Sequence, residues 1–333
     1  SLDNFETSQI DFDLELVTND TYLKVFESNL SETIIRPNPN QLTSSLNLLM
    51  YRENFNFSAG ITSYETLSGK DSDRYQFILP YYDFSKTLFK EQNLANVNFD
   101  SSGSNDLKNT NNLRSRIVNN LSIQSKDYIL NMGLKNSLGA YFKNLNTVAK
   151  NDAIYKSSPQ LELMSIFEAN SSLPLIKYNE RFNEYIEPKI SLRFNPGEMK
   201  DYSNTNRKIN NSNIFEINRL GITDSYEEGR SLTLGFEYKK EKIDDINKYF
   251  EFKLASVFRD KIEQRIPSSS SIKQNGNLIG SFQNNFNKNL NFSYNFAIDN
   301  DLKTFEYNSI DAARMRMSNR PVIMKSLEQL SGT

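Results

Sequence analysis

Along most of this chain a large apolar or aromatic side chain alternates with a polar one. The cleanest run is Asn-Leu-Asn-Phe-Ser-Tyr-Asn-Phe-Ala-Ile-Asp, from Asn289 to Asp299. In a strand Leu290, Phe292, Tyr294, Phe296 and Ile298 share one face, and Asn291, Ser293, Asn295 and Ala297 share the other. The same period sets Phe12, Leu14 and Leu16 against Asp13 and Glu15, Phe55 and Phe57 against Asn54, Asn56 and Ser58, and Tyr75, Phe77, Leu79 and Tyr81 against Arg74 and Gln76. It returns at Tyr128, Leu130, Met132 and Leu134, at Ile190, Leu192 and Phe194, at Leu232, Leu234, Phe236 and Tyr238, and at Phe250, Phe252 and Leu254. A series of this length predicts one continuous antiparallel architecture of about 15 strands.

The breaks between the runs come in two kinds. Asn19-Asp20, Ser125-Lys126-Asp127, Asp244-Asp245, Asn287-Lys288-Asn289 and Asp299-Asn300-Asp301 are short and carry the residues that tolerate tight turns. Ser101 to Asn112, Asn195 to Asn213 and Arg265 to Asn277 are long and polar, and are expected to be loops. Short turns at one end and long loops at the other are the habit of an outer-membrane barrel. From Asp311 the alternation stops, so residues 1–310 are expected to form part of a transmembrane β-barrel and 311–333 a helical or disordered tail.

Composition sharpens this picture. Hydrophobic residues make up 37 % and the mean hydropathy is -0.62, yet aromatics reach 12 %, all of them Phe or Tyr. That is too aromatic for a disordered chain and polar for a two-sided core, and it suits a sheet with one apolar and one wet face. The 39 basic and 41 acidic residues are interspersed, so no stripe marks a nucleic-acid partner. The chain has neither Cys nor His, which removes thiolate and imidazole metal sites and the Ser-His and Cys-His nucleophile pairs. It opens on Ser1 without a signal segment and reads as a mature form or a piece of a longer protein.

The face opposite the aromatics also holds charges: Asp13, Glu15, Arg74, Lys189, Arg193, Glu237, Glu251 and Lys253. They are either the solvated side of an ordinary sheet or the lining of a polar lumen, and the pattern by itself leaves both open.

The stretch from Asn213 to Tyr238 carries Asn218, Arg219, Gly221, Asp224, Glu227 and Gly229 ahead of an alternating strand. This order resembles the mid-barrel signature of the LptD family of lipopolysaccharide-assembly outer-membrane proteins. Phe258 to Gly280 resembles the family's strand, Pro-Ser loop and returning strand; Asp11 to Glu27 resembles an early barrel hairpin; Glu187 to Glu198 falls between them. The resemblance implies a large barrel that takes lipopolysaccharide from the periplasmic bridge protein LptA, holds the plug lipoprotein LptE, and delivers its cargo to the outer leaflet of a Gram-negative outer membrane. It implies no cofactor and no bond chemistry. The signature residues would then form an ordered loop at the barrel mouth, although Gly221 and Gly229 could equally mark solvated turns.

Three other functions are compatible with the pattern: a porin or plugged transporter, a soluble or surface-displayed β-sheet adhesin, and an outer-membrane enzyme. The first shares the inside-out barrel; the second would bury the Phe/Tyr face against a second sheet. The third would need paired acids such as Glu227 and Glu228, but neighbours on a strand face opposite ways.

Overall fold

The computed structural model describes residues 5–25, 38–70, 73–91, 94–272, 276–287 and 290–314, and its regular structure is almost all antiparallel β-strand, 62 % strand against 4 % helix. The strands are β1 (Thr7–Asp13), β2 (Gln41–Arg52), β3 (Phe55–Thr66), β4 (Tyr75–Lys90), β5 (Ala95–Lys108), β6 (Asn112–Ser125), β7 (Tyr128–Ile129) and β8 (Lys135–Lys150). They continue with β9 (Gln160–Ser172), β10 (Leu175–Tyr178), β11 (Phe182–Asn195), β12 (Gly229–Lys242), β13 (Asp245–Arg259), β14 (Leu278–Asn287), β15 (Leu290–Ile298) and β16 (Phe305–Arg314). Most exceed the roughly 9 to 11 residues that a tilted strand needs to cross a bilayer. No helix among the described residues is long and apolar enough to do so.

The chain packs as two compact units, one from residues 1–123 and 141–163, the other from 124–140 and 164–333. In the first, β1 to β6 lie side by side in chain order. Ile10 and Phe12 of β1 pair with Leu48 and Leu46 of β2, and Leu46 pairs with Ile61 of β3, so one apolar row crosses three strands. The row is open: Phe12 is 71 % exposed. β1 has β2 as its one strand partner among the described residues.

Several sequence expectations change here. β1 stops at Asp13, and Asn19 and Asp20 lead into a single helical turn, α1 (Tyr22–Val25), not into a returning strand, because Asn19 Oδ1 takes the Thr21 amide and starts the turn. The early segment therefore pairs with β2, not with itself. The alternation of β4 slips at Leu79-Pro80, where the register to β3 shifts; proline has no N–H for the ladder. Tyr81 is thereby moved off the face of Phe77, and its hydroxyl donates to Asn47 Oδ1 at 2.5 Å. Ser101 to Asn112 is no loop. β5 runs through it to Lys108, and its Ser and Asn side chains are bonded to neighbouring strands. Tyr128 to Leu134 is a hairpin end, with Met132 and Gly133 at φ 71° and 83°. After Asn195, the last residue of β11, the segment to Asn213 is a loop, as expected, and the described residues between Arg265 and Asn277 lie outside the strands.

In the second unit the order is β9, β11, β12, β13, β14, β15, β16, with β10 on β11 and β7 on β8. One lateral row runs Lys189, Gly235, Ala255, Ile279, Ala297 and Tyr307 across six strands. The next row holds Ile190, Leu234, Ser256, Leu278 and Ile298 on the opposite face. β16 continues past the expected boundary at residue 310 to Arg314 and has β15 as its one strand partner among the described residues; 315–333 lie outside them. The sheet is not closed within the described residues.

Burial inverts the order of a soluble sheet. On β11, Leu192 is 53 % exposed while its neighbours Ser191 and Arg193 are 0 % and 5 % exposed. On β12, Leu234 is exposed and Thr233 is fully buried. The polar face is covered by the loops that follow β11 and β13. Their Met199, Tyr202, Ile209, Ile214, Leu220, Ile222, Ile266 and Ile272 form a core with the wall residues Ala255, Val257, Ile279 and Ala297. Each such apolar side chain, fully buried, contributes on the order of 1.5 to 3 kcal/mol. Ala297 belongs to the Asn/Ser side of the Asn289 to Asp299 run, so that side is the inner one here.

Gly235 lets the loop lie flat, since a Cβ there would come 2.4 Å from the Phe215 ring. Gly235→Val is expected to push Phe215 off the wall at a cost of about 1 to 3 kcal/mol. Limited proteolysis of the membrane-embedded protein should then cut within residues 196–228 faster than in the parent chain.

Candidate functional site

Residues 196–228 leave β11 at Asn195 and return to β12 at Gly229. The loop is pinned at both ends. Asn195 Oδ1 accepts the Gly197 amide at 2.8 Å, and its Nδ2 donates to the carbonyls of Tyr226 and Glu227 at 3.3 and 3.2 Å. The Asn195 amide thus ties the start of the loop to its end. Within it, Asn218 Oδ1 accepts the Ile222 amide at 2.8 Å, and Gly221, at φ 63°, makes the bend that lets Arg207 Nη1 reach the carbonyls of Leu220 and Gly221. Asp224 accepts the Tyr202 hydroxyl. Gly229, at φ 82°, turns the chain into β12.

Arg219 is the largest fully buried side chain among the described residues. Its Nε donates to Glu227 Oε2 at 2.7 Å and its Nη2 to Glu227 Oε1; Nη1 donates to Thr233 Oγ1 at 2.9 Å and Nη2 to Ser231 Oγ at 3.1 Å. Arg259, at the end of β13 opposite Ser231, reaches Glu227 from the other side and also holds the Glu228 carbonyl. Nearby on the same face, Arg193 Nε donates to Glu168 Oε1 at 3.0 Å and Ser191 Oγ to the same oxygen at 3.3 Å. Further pairs seal the rim: Glu228 accepts Arg265 at 2.9 Å and the Met199 amide at 3.2 Å, and Arg265 also meets Glu198 at 2.9 Å.

Burial disfavours the Glu227 carboxylate, but Arg219 and Arg259 outweigh it and hold the group down at about 2. Glu228 is also lowered: burial opposes ionisation, and the Met199 amide and Arg265 override it. The cluster is thus a fixed ionic clasp between the loop and the wall, not a proton-transfer pair.

Of the signature residues, Asn218, Arg219, Gly221, Asp224 and Glu227 fall in this loop and Gly229 opens β12, with Arg219 and Glu227 in direct contact. Of the eight charged residues read on the polar face, Arg193 lies beside this cluster and the others do not gather with it. Lys189 pairs with Glu187 and Glu237, and Lys253 with Glu251, on the polar face nearer the short turns. Arg193 joins Glu168. Arg74 stands one residue before β4, in the first unit, where it holds Glu65 and Asp20. Beyond the signature, the sequence reading passed over Arg259, Glu168, Tyr202, Ser231 and Thr233. Period-2 reading of β12 and β13 does set Ser231, Thr233 and Arg259 on the polar face, which was the available signal.

Fold and site together define an outer-membrane-type β-sheet whose polar side is occupied by a folded long loop. The family model described as LptD, LPS transport system D, matches residues 3–317, and the chain belongs to that family. Its role therefore lies in lipopolysaccharide transport at the outer membrane. No curated protein matches the chain.

Glu227→Gln leaves two buried guanidinium groups facing a neutral amide and is expected to destabilise the second unit by about 3 to 5 kcal/mol. Because the folded Glu227 value lies below the ordinary 4.5, its stabilisation is complete above pH 4.5 and is lost as pH falls toward 2. Thermal unfolding followed against pH should fall through that window in the parent and show a smaller fall in Glu227→Gln.

Proposed function

We propose that the polar face of the second unit lines a water-filled lumen through which lipopolysaccharide passes for insertion into the outer leaflet of the outer membrane. The observation that carries this reading is the inverted burial of β11 and β12, with Leu192 exposed beside fully buried Ser191. An exposed apolar face is stable against acyl chains, and a buried polar one against water and a charged, sugar-bearing head group. Lys189, Glu237, Glu251, Lys253 and Arg193 are the lining charges. Lys189 pairs with Glu237, Lys253 with Glu251 and Arg193 with Glu168, which keeps the lumen close to neutral, so that a phosphorylated head group meets no deep electrostatic well.

The signature loop stands at the long-loop end as an ordered cover, with Arg219, Asp224 and Glu227 holding its shape. Cargo arrives from the short-turn end, from a bridge protein of the LptA kind, and the lumen accommodates a plug lipoprotein of the LptE kind. No covalent step is involved: the strands through Arg314 form part of the barrel wall, and the amphiphile leaves where strand pairing is weakest, because few ladder bonds then have to part.

A photo-crosslinking side chain placed at Lys189 or Glu237 of the full-length protein in its own membrane is expected to capture lipopolysaccharide. The adduct should vanish when delivery from the inner membrane is blocked. Correct assembly of the barrel without any lipopolysaccharide adduct at either position would overturn the reading.

A further inference from the structure

On the polar face of the second unit a cleft of about 280 Å³ is lined by β8, β9, β11 and Phe215 of the signature loop. Asn170 and Ser172 of β9 pair with Ser191 and Lys189 of β11, and the full burial of Ser191 marks this side as the polar one. Lys135 and Ser137 enter from β8, and Glu187 from β11. The partly buried Phe215 ring lies over Gly235, the register partner of Lys189, so the ring stands beside that lysine.

Toward the clasp, polar side chains bond to one another: Ser191 and Arg193 to Glu168, and Thr233 to Arg219. In the cleft Glu187 and Lys189 pair at 3.2 Å, but the side chains of Lys135, Ser137, Asn170 and Ser172 have no hydrogen bond or ion pair among the described residues. Asp127 stands exposed at the rim, with no ion pair to Lys135. One ammonium, two hydroxyls and a carboxamide therefore border the same space with their donors and acceptors unused.

A sugar ring has the matching chemistry. Its C–H face is apolar and is favoured against an aromatic ring, while its edge carries hydroxyls that each donate and accept. Phe215 supplies the first surface, and Ser137, Asn170, Ser172 and Glu187 supply partners for the second. Lys135 adds one unpaired cation, a compact point charge suited to a phosphate or carboxylate on the sugar. The volume falls just under the roughly 300 Å³ at which small-molecule sites begin, which suits one ring and not a chain of them. We propose that this cleft is a saccharide subsite that holds a single sugar ring bearing an anionic substituent. On the lumen reading, on which this assignment rests, the ring belongs to the sugar head of passing lipopolysaccharide; a free sugar phosphate carries the same chemistry. A bare anion would leave Phe215 and the hydroxyls unused, and an acyl chain would leave Lys135 and Asn170 without partners. One unpaired lysine holds the group without trapping it, since Lys189 beside it is already neutralised by Glu187 and Glu237.

In the full-length protein in its own membrane, a photo-crosslinking side chain at Ser172 is compared with one at Glu237, which lies outside the cleft. Both are expected to capture lipopolysaccharide, and Lys135→Gln is expected to lower the ratio of Ser172 adduct to Glu237 adduct about tenfold, with Lys135→Arg restoring it. Lys135 bonds nothing in the protein, so its replacement leaves folding intact; Phe215→Leu, which keeps an apolar side chain over Gly235, is expected to lower the ratio likewise. A ratio that neither variant moves overturns the subsite, while the Glu237 adduct still supports passage through the lumen. Where Ser172 gives no adduct, the purified full-length Ser172→Cys protein, whose thiol is unique because the chain has no cysteine, decides the source, and capture at Glu237 reports separately on the lumen. Slower reaction with a water-soluble maleimide in excess glucose 6-phosphate than in excess glucose assigns the cleft to a free sugar phosphate; equal rates overturn the site.

Discussion

A sheet that buries Ser191, Thr233 and Arg193 while exposing Leu192, Leu234 and Ile190 can persist only if its exterior is apolar. In water each exposed leucine or isoleucine would forgo on the order of 1.5 to 3 kcal/mol of burial, which acyl chains restore. The buried hydroxyl and guanidinium groups are bonded within the protein in either medium. The ladder itself answers the remaining demand, since antiparallel pairing satisfies every backbone group within the strands and leaves only the outermost edges open. The two-sided reading of the aromatic runs is thus decided by burial, against a soluble sandwich.

Within that sheet the ionic clasp organises the loop. Glu227 is held between Arg219 and Arg259, which belong to the loop and to β13, so one carboxylate ties a 33-residue segment to the wall. The hydrophobic core under the loop and the Asn195 amide at its root act on the same segment. The clasp specifies position more than it adds stability, because desolvation of such a cluster offsets much of its attraction. The family's signature residues acquire a common physical role in this way: Arg219 and Glu227 are the clasp, Gly221 and Gly229 supply the left-handed bends, and Asn218 and Asp224 fix the loop between them.

Much of the fold was legible because period-2 alternation is a direct image of a sheet with unlike faces. β15 was readable almost to the residue, the alternating centres of β11, β12 and β13 were visible without their ends, β14 showed only as a returning strand reaching Gly280, and the loops after β11 and β13 were marked by their polarity. What failed, failed for local reasons. Ser101 to Asn112 reads as a loop because its Ser and Asn residues bond to neighbouring strands, a partner that no single segment reveals. Tyr81 changes face because Pro80 breaks the ladder. Tyr128 to Leu134 alternates by chance over a turn. At the site the signature was visible as residue types, but Arg259 and Glu168 enter from strands distant in sequence, and pairing across 32 residues leaves no periodic trace.

The central claim, that the apolar face meets lipid and the polar face meets water, is tested by solvent access on adjacent strands. Single cysteines at Leu192, Leu234, Glu237 and Glu251 in the membrane-embedded protein would be exposed in turn to a membrane-impermeant maleimide and to a lipid-phase thiol probe. The account predicts lipid-phase labelling at Leu192 and Leu234 and water-phase labelling at Glu237 and Glu251. Leucine positions closed to both probes, in a protein recovered from the soluble fraction, would contradict it.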